Sequence, residues 1–156
     1  MSEMLAYANE IIPRVFLGSL EAAENKAFLL ENRITHVIGC MLERFHYDNR
    51  LASVHYRLTF LDDTPSTDLA PHLERVYKWL EETLNENSYN RVLIHCRMGV
   101  SRSPAILCCY LMKKNRLSYI EAMNLIKLKR PIVDINAGFE RQLQILEVPS
   151  FSSERT

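Results

Sequence analysis

The 156-residue chain is 47% hydrophobic and 24% charged, with 19 basic groups balanced against 19 acidic ones. That length fits one domain with an ordinary core, and zero formal net charge excludes a global field for nucleic acid or membrane surfaces. No apolar run approaches the ~18 residues needed to cross a bilayer.

The opening Met1, Ser2, Glu3 and Met4 shows no basic-then-apolar leader. Ser2 stands where myristoylation requires glycine, so neither a leader nor N-myristoylation is expected. Ile11 to Gly18 reads as a strand ending at a glycine turn, after which Ser19 caps a helix running to about Asn32. Ile34 to Ile38 is β-branched and bounded by Gly39, and Val54 to Phe60 is a third strand. Turn residues from Asp62 to Ser66 make a loop. Leu69, Leu73, Val76, Tyr77 and Leu80 then keep helical spacing, which predicts an amphipathic helix over 69–84. A strand at Arg91–His95 follows, then helices over 103–114 and 118–129, the second opened by a Ser118/Glu121 capping box. Asn136 begins a last helix through Ile145, and the polar tail from Pro149 is expected to fray. Strands alternating with helices imply an α/β fold with a mostly parallel sheet covered on both faces. Ligands of such sheets bind beyond the carboxyl ends of the strands.

Chemistry concentrates at one such end. The apolar run Val92-Leu93-Ile94-His95 delivers Cys96; Gly99 and Arg102 follow, and a helix-forming segment begins. A loop between a strand end and a helix N-terminus gathers backbone N–H groups into a concavity suited to a phosphate dianion. Arg102 adds a planar fork for two phosphate oxygens. The same field favours Cys96 as a thiolate nucleophile. The other cysteines, Cys40, Cys108 and Cys109, have no disulfide-framework or zinc-ligand spacing. Cys108 and Cys109 sit in an apolar helix and read as core. His36, His46, His55 and His72 share no metal-ligand spacing, so no cofactor is implied. Such cysteine usage suits a reducing compartment, hence the cytoplasm, with the nucleus also open.

The pattern His95-Cys96-x-x-Gly99-x-x-Arg102-Ser103, followed by Pro104-Ala105-Ile106, resembles the phosphate-binding loop of small dual-specificity phosphatases, in the cysteine-dependent protein tyrosine phosphatase superfamily. The resemblance covers roughly Ile11 to Leu146, including Ile12-Pro13-Arg14-Val15-Phe16-Leu17-Gly18-Ser19, Asn25 and Arg130 to Phe139. It implies a central sheet of about five strands flanked by helices. The expected organisation is one catalytic domain over 1–149, with a polar, disordered tail over 150–156. Two departures stand near the end: Ile135 replaces a usual proline, and Asp134 replaces an often basic residue.

The site residues follow from the loop and the resemblance together. Cys96 is the nucleophile, and Arg97, Met98, Gly99, Val100, Ser101 and Arg102 form the phosphate cradle. Gly99 lets the backbone curl tightly. Asp62 and Asp63 form an acidic pair in a loop after a strand; the resemblance favours Asp63 as proton donor, with Asp62 the alternative. Ser103 either stabilises the departing thiolate, as the resemblance implies, or simply caps a helix. His95 orders the loop by hydrogen bonding, and Asn136 either braces it or caps the last helix. Cys40, at a neighbouring strand end, is a redox partner for Cys96 or a small buried hydrophobe. The resemblance adds Glu43-Arg44 and His46-Tyr47-Asp48 to this comparison, because superfamily members with such a cysteine share those neighbours.

The expected function is hydrolysis of phosphotyrosine and phosphoserine/threonine in proteins through a cysteinyl-phosphate, without metal. No added segment walls the site into a slot for phosphotyrosine alone. Phosphorylated proteins are the expected partners, with no nucleic acid and no membrane. The alternatives are a phosphoinositide or RNA 5′-phosphate phosphatase of the same fold, and a phosphopeptide-binding pseudophosphatase.

Overall fold

The computed structural model describes residues 7–42 and 50–150, the last four of these by backbone alone. The expectations for the first four residues, for Glu43-Arg44 and His46-Tyr47-Asp48, and for 151–156 lie outside the described residues. The chain opens with an antiparallel hairpin of β1 (Ala8–Ile12) and β2 (Val15–Gly18), where a single strand was expected. The break has a physical cause. Arg14 turns the chain at φ 72°, and its guanidinium donates to the carbonyls of Leu84, Asn87, Ser88 and Asn90 at 3.2–3.3 Å. Glycine or asparagine is the usual mark of such a turn, so an arginine held by distant contacts leaves no local signal.

The expected helix after Ser19 is two short ones, α1 (Leu20–Glu24) and α2 (Lys26–Glu31). Asn25 separates them in an extended conformation, and its Oδ1 accepts the Phe28 N–H at 3.0 Å, restarting the helix. β3 (His36–Cys40) lies two residues beyond the expected span. Gly39 is an interior strand residue there, paired with Leu58 on one side and His95 on the other. β4 (His55–Thr59), α3 (Ala70–Glu86), β5 (Val92–His95), α4 (Arg102–Asn115) and α5 (Tyr119–Lys129) follow. The Ser118/Glu121 capping box is present at α5. The last helix, α6 (Ala137–Ser150), continues past the expected end at Ile145.

The five-stranded sheet has the order β1-β2-β5-β3-β4, and every pairing except β1–β2 is parallel. β5 is central, so Cys96 leaves the sheet between two neighbours. Alternation along β2, β3 and β5 sends Val15, Leu17, Ile38, Cys40, Val92 and Ile94 into the larger core under α3–α6. It sends Phe16, Val37 and Leu93 into the smaller core with Ala22, Ala23 and Leu29 of α1 and α2. Burial on both faces is what a parallel sheet requires. Cys108 and Cys109 are buried in the larger core. Among the described residues, no helix is long and apolar enough to cross a membrane.

Candidate active site

β5 ends at His95, and the chain then curls through residues 96–101 into α4. Four successive carbonyls of the curl are held from behind. Arg97 O accepts the Leu20 N–H at 3.0 Å, and Val100 O accepts the Asp134 N–H at 2.9 Å. Between them, Met98 O and Gly99 O accept from the Arg130 guanidinium at 3.0 and 2.9 Å. Carbonyls turned outward leave the intervening N–H groups to face inward, the arrangement that receives an anion. Gly99 adopts φ +68°, and a Cβ there would lie 2.6 Å from Gly18 O and 2.8 Å from an Arg130 nitrogen. Ser101 precedes α4 without a side-chain cap bond, leaving the first-turn N–H groups uncapped at the same concavity.

The sequence-predicted residues take distinct places here. A cleft of about 310 Å³ is lined by Asp63, Cys96, Met98, Val100, Ser101, Arg102, Asp134, Ile135 and Asn136. Cys96 is 2% exposed, and its Sγ accepts a hydrogen bond from Ser103 Oγ at 3.2 Å. Arg102, also buried, is anchored by Nη1 to Leu61 O at 3.2 Å. Asp63 is exposed at the mouth. Its Oδ1 accepts from Ser101 Oγ at 2.7 Å and from Asn136 Nδ2 at 2.9 Å. Asn136 Oδ1 also caps α6 by accepting the Phe139 N–H at 2.8 Å. Asp62, by contrast, turns its carboxylate back on the Asp63 N–H at 2.9 Å. Arg97 is exposed and lies outside the cleft lining.

His95 and Cys40 lie beneath the loop. Burial, with the Arg102 charge adding to it, pushes the His95 pKa down to about 4, against the opposing effect of its bond to the Cys96 carbonyl. The ring is therefore neutral near pH 7. Since a carbonyl can only accept, the 3.1 Å contact from Nδ1 to Cys96 O fixes the Nδ1–H tautomer. Cys40 is fully buried, and its register follows that of Gly39 with His95, which sets it beside Cys96. Burial pushes the Cys40 thiol up, the charge of Cys96 adds to the shift, and Arg102 opposes it. Among the described residues, no group of three or more His, Cys, Asp or Glu could hold a metal ion.

Two features matter here beyond the expected site residues. Gly138 allows α6 to touch the Asp63 loop, since a Cβ there would fall 1.9 Å from Pro65 O. Gln142 fastens the same loop, accepting from the Leu69 N–H and donating to Thr67 O at 2.8 Å each. Arg130 is the other, a fully buried cation at the end of α5. Its neighbours Lys127, Leu128 and Lys129 are exposed. In sequence, Arg130 therefore reads as one more solvated charge at a helix C-terminus.

Known proteins share this architecture. Residues 15–148 match the family model for the dual specificity phosphatase catalytic domain. The chain is 36% identical over 148 residues to mouse dual specificity protein phosphatase 13B, covering 92% of this chain and 74% of that one. The crystal structure of human DUSP28 is similar at TM-score 0.81 and 28% identity, over 90% of this chain and 92% of the other. That of DUSP15 is similar at TM-score 0.85 and 25% identity, over 95% and 92%. With the family domain spanning nearly all of the sheet and its helices, the chain belongs to the dual specificity phosphatases of the protein tyrosine phosphatase superfamily and is a protein phosphatase.

Proposed function

We propose that the chain hydrolyses phosphotyrosine and phosphoserine/threonine in proteins through a cysteinyl-phosphate on Cys96. The observation that carries this reading is the placing of Cys96 and Asp63 in one cleft, with Ser103 donating to the sulfur. In the first step the Cys96 thiolate attacks phosphorus, the bond to the leaving oxygen breaks, and Asp63 gives that oxygen its proton. Arg102 and the inward N–H groups of residues 97–102 hold the non-bridging oxygens. In the second step Asp63, now a carboxylate, takes a proton from water whose oxygen attacks phosphorus. The phosphorus–sulfur bond breaks, the electron pair returns to Cys96, and Ser103 stabilises the thiolate formed. His95 and Asn136 support the loop and the acid. Cys40 stands ready to capture an oxidised Cys96, and four free cysteines suit the reducing cytoplasm or nucleus.

The rim favours protein monoesters over polyphosphorylated substrates. Asp134 is exposed and lines the cleft, so its carboxylate repels a second phosphate beside the one being removed. The test is kcat/KM in EDTA for phosphotyrosyl peptide, phosphothreonyl peptide and a phosphoinositide. Turnover of both peptides above the lipid is expected. A preference for the lipid supports the phosphoinositide reading instead, and binding of peptide without turnover supports a pseudophosphatase.

A further inference from the structure

The fully buried guanidinium of Arg130 demands an explanation. A buried cation is costly unless its surroundings require it. Three side-chain hydrogen bonds of Arg130 point towards the loop or its support. Nε donates to Gly99 O at 2.9 Å, one terminal nitrogen to Met98 O at 3.0 Å, and the other to Asn9 Oδ1 of β1 at 3.0 Å. The fork thus spans two consecutive carbonyls of the loop while β1 holds its far side. Gly99 makes this approach possible, since any Cβ would collide with the guanidinium. Burial draws the Arg130 pKa down, and the charge of Cys96 draws it back up, which marks the two as electrostatic neighbours. Arginine remains charged at any working pH.

We propose that Arg130 is a positioning residue for phosphoryl transfer: it fixes the Met98 and Gly99 carbonyls outward, and so aims the loop N–H groups at the phosphate. It also sets a permanent positive charge behind the loop, opposite the thiolate and the incoming dianion. This rests on the Cys96 reading of the site. A lysine ammonium has three donors on one nitrogen but no planar fork, so it cannot hold both carbonyls in this geometry while also reaching Asn9.

The test measures three quantities on Arg130→Lys and on Asn9→Ala: inhibition by inorganic phosphate, kcat/KM on a phosphotyrosyl peptide, and the pH midpoint for alkylation of Cys96 by iodoacetamide. Circular dichroism and thermal melting report folding. Arg130→Lys is expected to weaken phosphate inhibition about tenfold, the scale of one misplaced charge-assisted hydrogen bond, and to raise the alkylation midpoint. Asn9→Ala, which frees one arm of the fork, should move both in the same direction by less. A folded Arg130→Lys with wild-type phosphate inhibition and alkylation, and a lowered melting temperature alone, makes Arg130 merely structural and overturns the proposal. Should Arg130→Lys fail to fold, unchanged phosphate inhibition in folded Asn9→Ala overturns it equally. Cys96→Ser is run alongside: if that variant still turns over peptide, the reading of the site has failed, whatever Arg130 does.

Discussion

The carboxylate of Asp63 is held by two donors from different parts of the chain, Ser101 Oγ and Asn136 Nδ2, on the same oxygen. That leaves Oδ2 as the oxygen able to carry a proton to a leaving group. Asp63→Asn should therefore lower kcat roughly 10²–10⁴-fold on phosphothreonyl peptide. The loss should shrink sharply for an activated aryl phosphate, whose leaving group needs little protonation. Asp62→Asn should do neither, since its carboxylate serves the Asp63 backbone; a leaving-group dependence at Asp62 instead would move the acid by one residue. Cys96 and Arg102 could be named from sequence because the chain itself brings them together across one strand end and one helix start, whereas the role of Ser103 came from the family resemblance. Asp63 needed the family resemblance, because an acidic turn is ordinary without a partner in view. Arg130 fell within the segment that carries the resemblance but was given no role there, because its role depends on how α5 docks behind a loop 31 residues away at Gly99, and no local pattern reports that contact.

At the scale of elements, β3 and β5 decide the redox chemistry open to the site. Their parallel register sets Gly39 against His95, and Cys40 and Cys96 are the next residues beyond that pair. A disulfide between them needs Cα atoms within about 7 Å. Peroxide oxidises a thiolate to the sulfenic acid; attack by Cys40 sulfur then forms the S–S bond and releases water. Peptide mapping after peroxide should find a Cys40–Cys96 crosslink, and thiol reductant should restore activity. Equal recovery of Cys40→Ala and wild type would reduce Cys40 to packing. The strands and long helices were legible in periodicity, because each buries an apolar face. What sequence missed were the breaks. The β1–β2 turn depends on Arg14 reaching the end of α3, and the α1–α2 break on one asparagine cap, neither of which disturbs the hydrophobic pattern.

For the molecule as a whole, the buried histidine under the loop couples the site to stability. The folded chain keeps His95 neutral down to about pH 4, whereas the unfolded chain takes up a proton near 6.5. Protons therefore bind the unfolded state more strongly in that window, and stability present above pH 6.5 is lost as pH falls towards 4. The full effect is on the order of 3 kcal/mol. His36 and His72, both lowered mainly by burial, act in the same direction. Chemical denaturation at pH 7 and pH 5 should show a smaller loss in His95→Gln than in wild type; equal losses would remove His95 from this account. The central claim is covalent chemistry at Cys96, and it is tested most directly by acid-quenching wild type and Asp63→Asn during turnover of a phosphotyrosyl peptide and mapping the modified residue by mass spectrometry. The account predicts one phosphoryl group on the Cys96 peptide, with more of it accumulating in Asp63→Asn on an activated aryl phosphate. It also predicts none in Cys96→Ser. Undiminished turnover in Cys96→Ser, or a phosphoryl group trapped on any other residue, would contradict it.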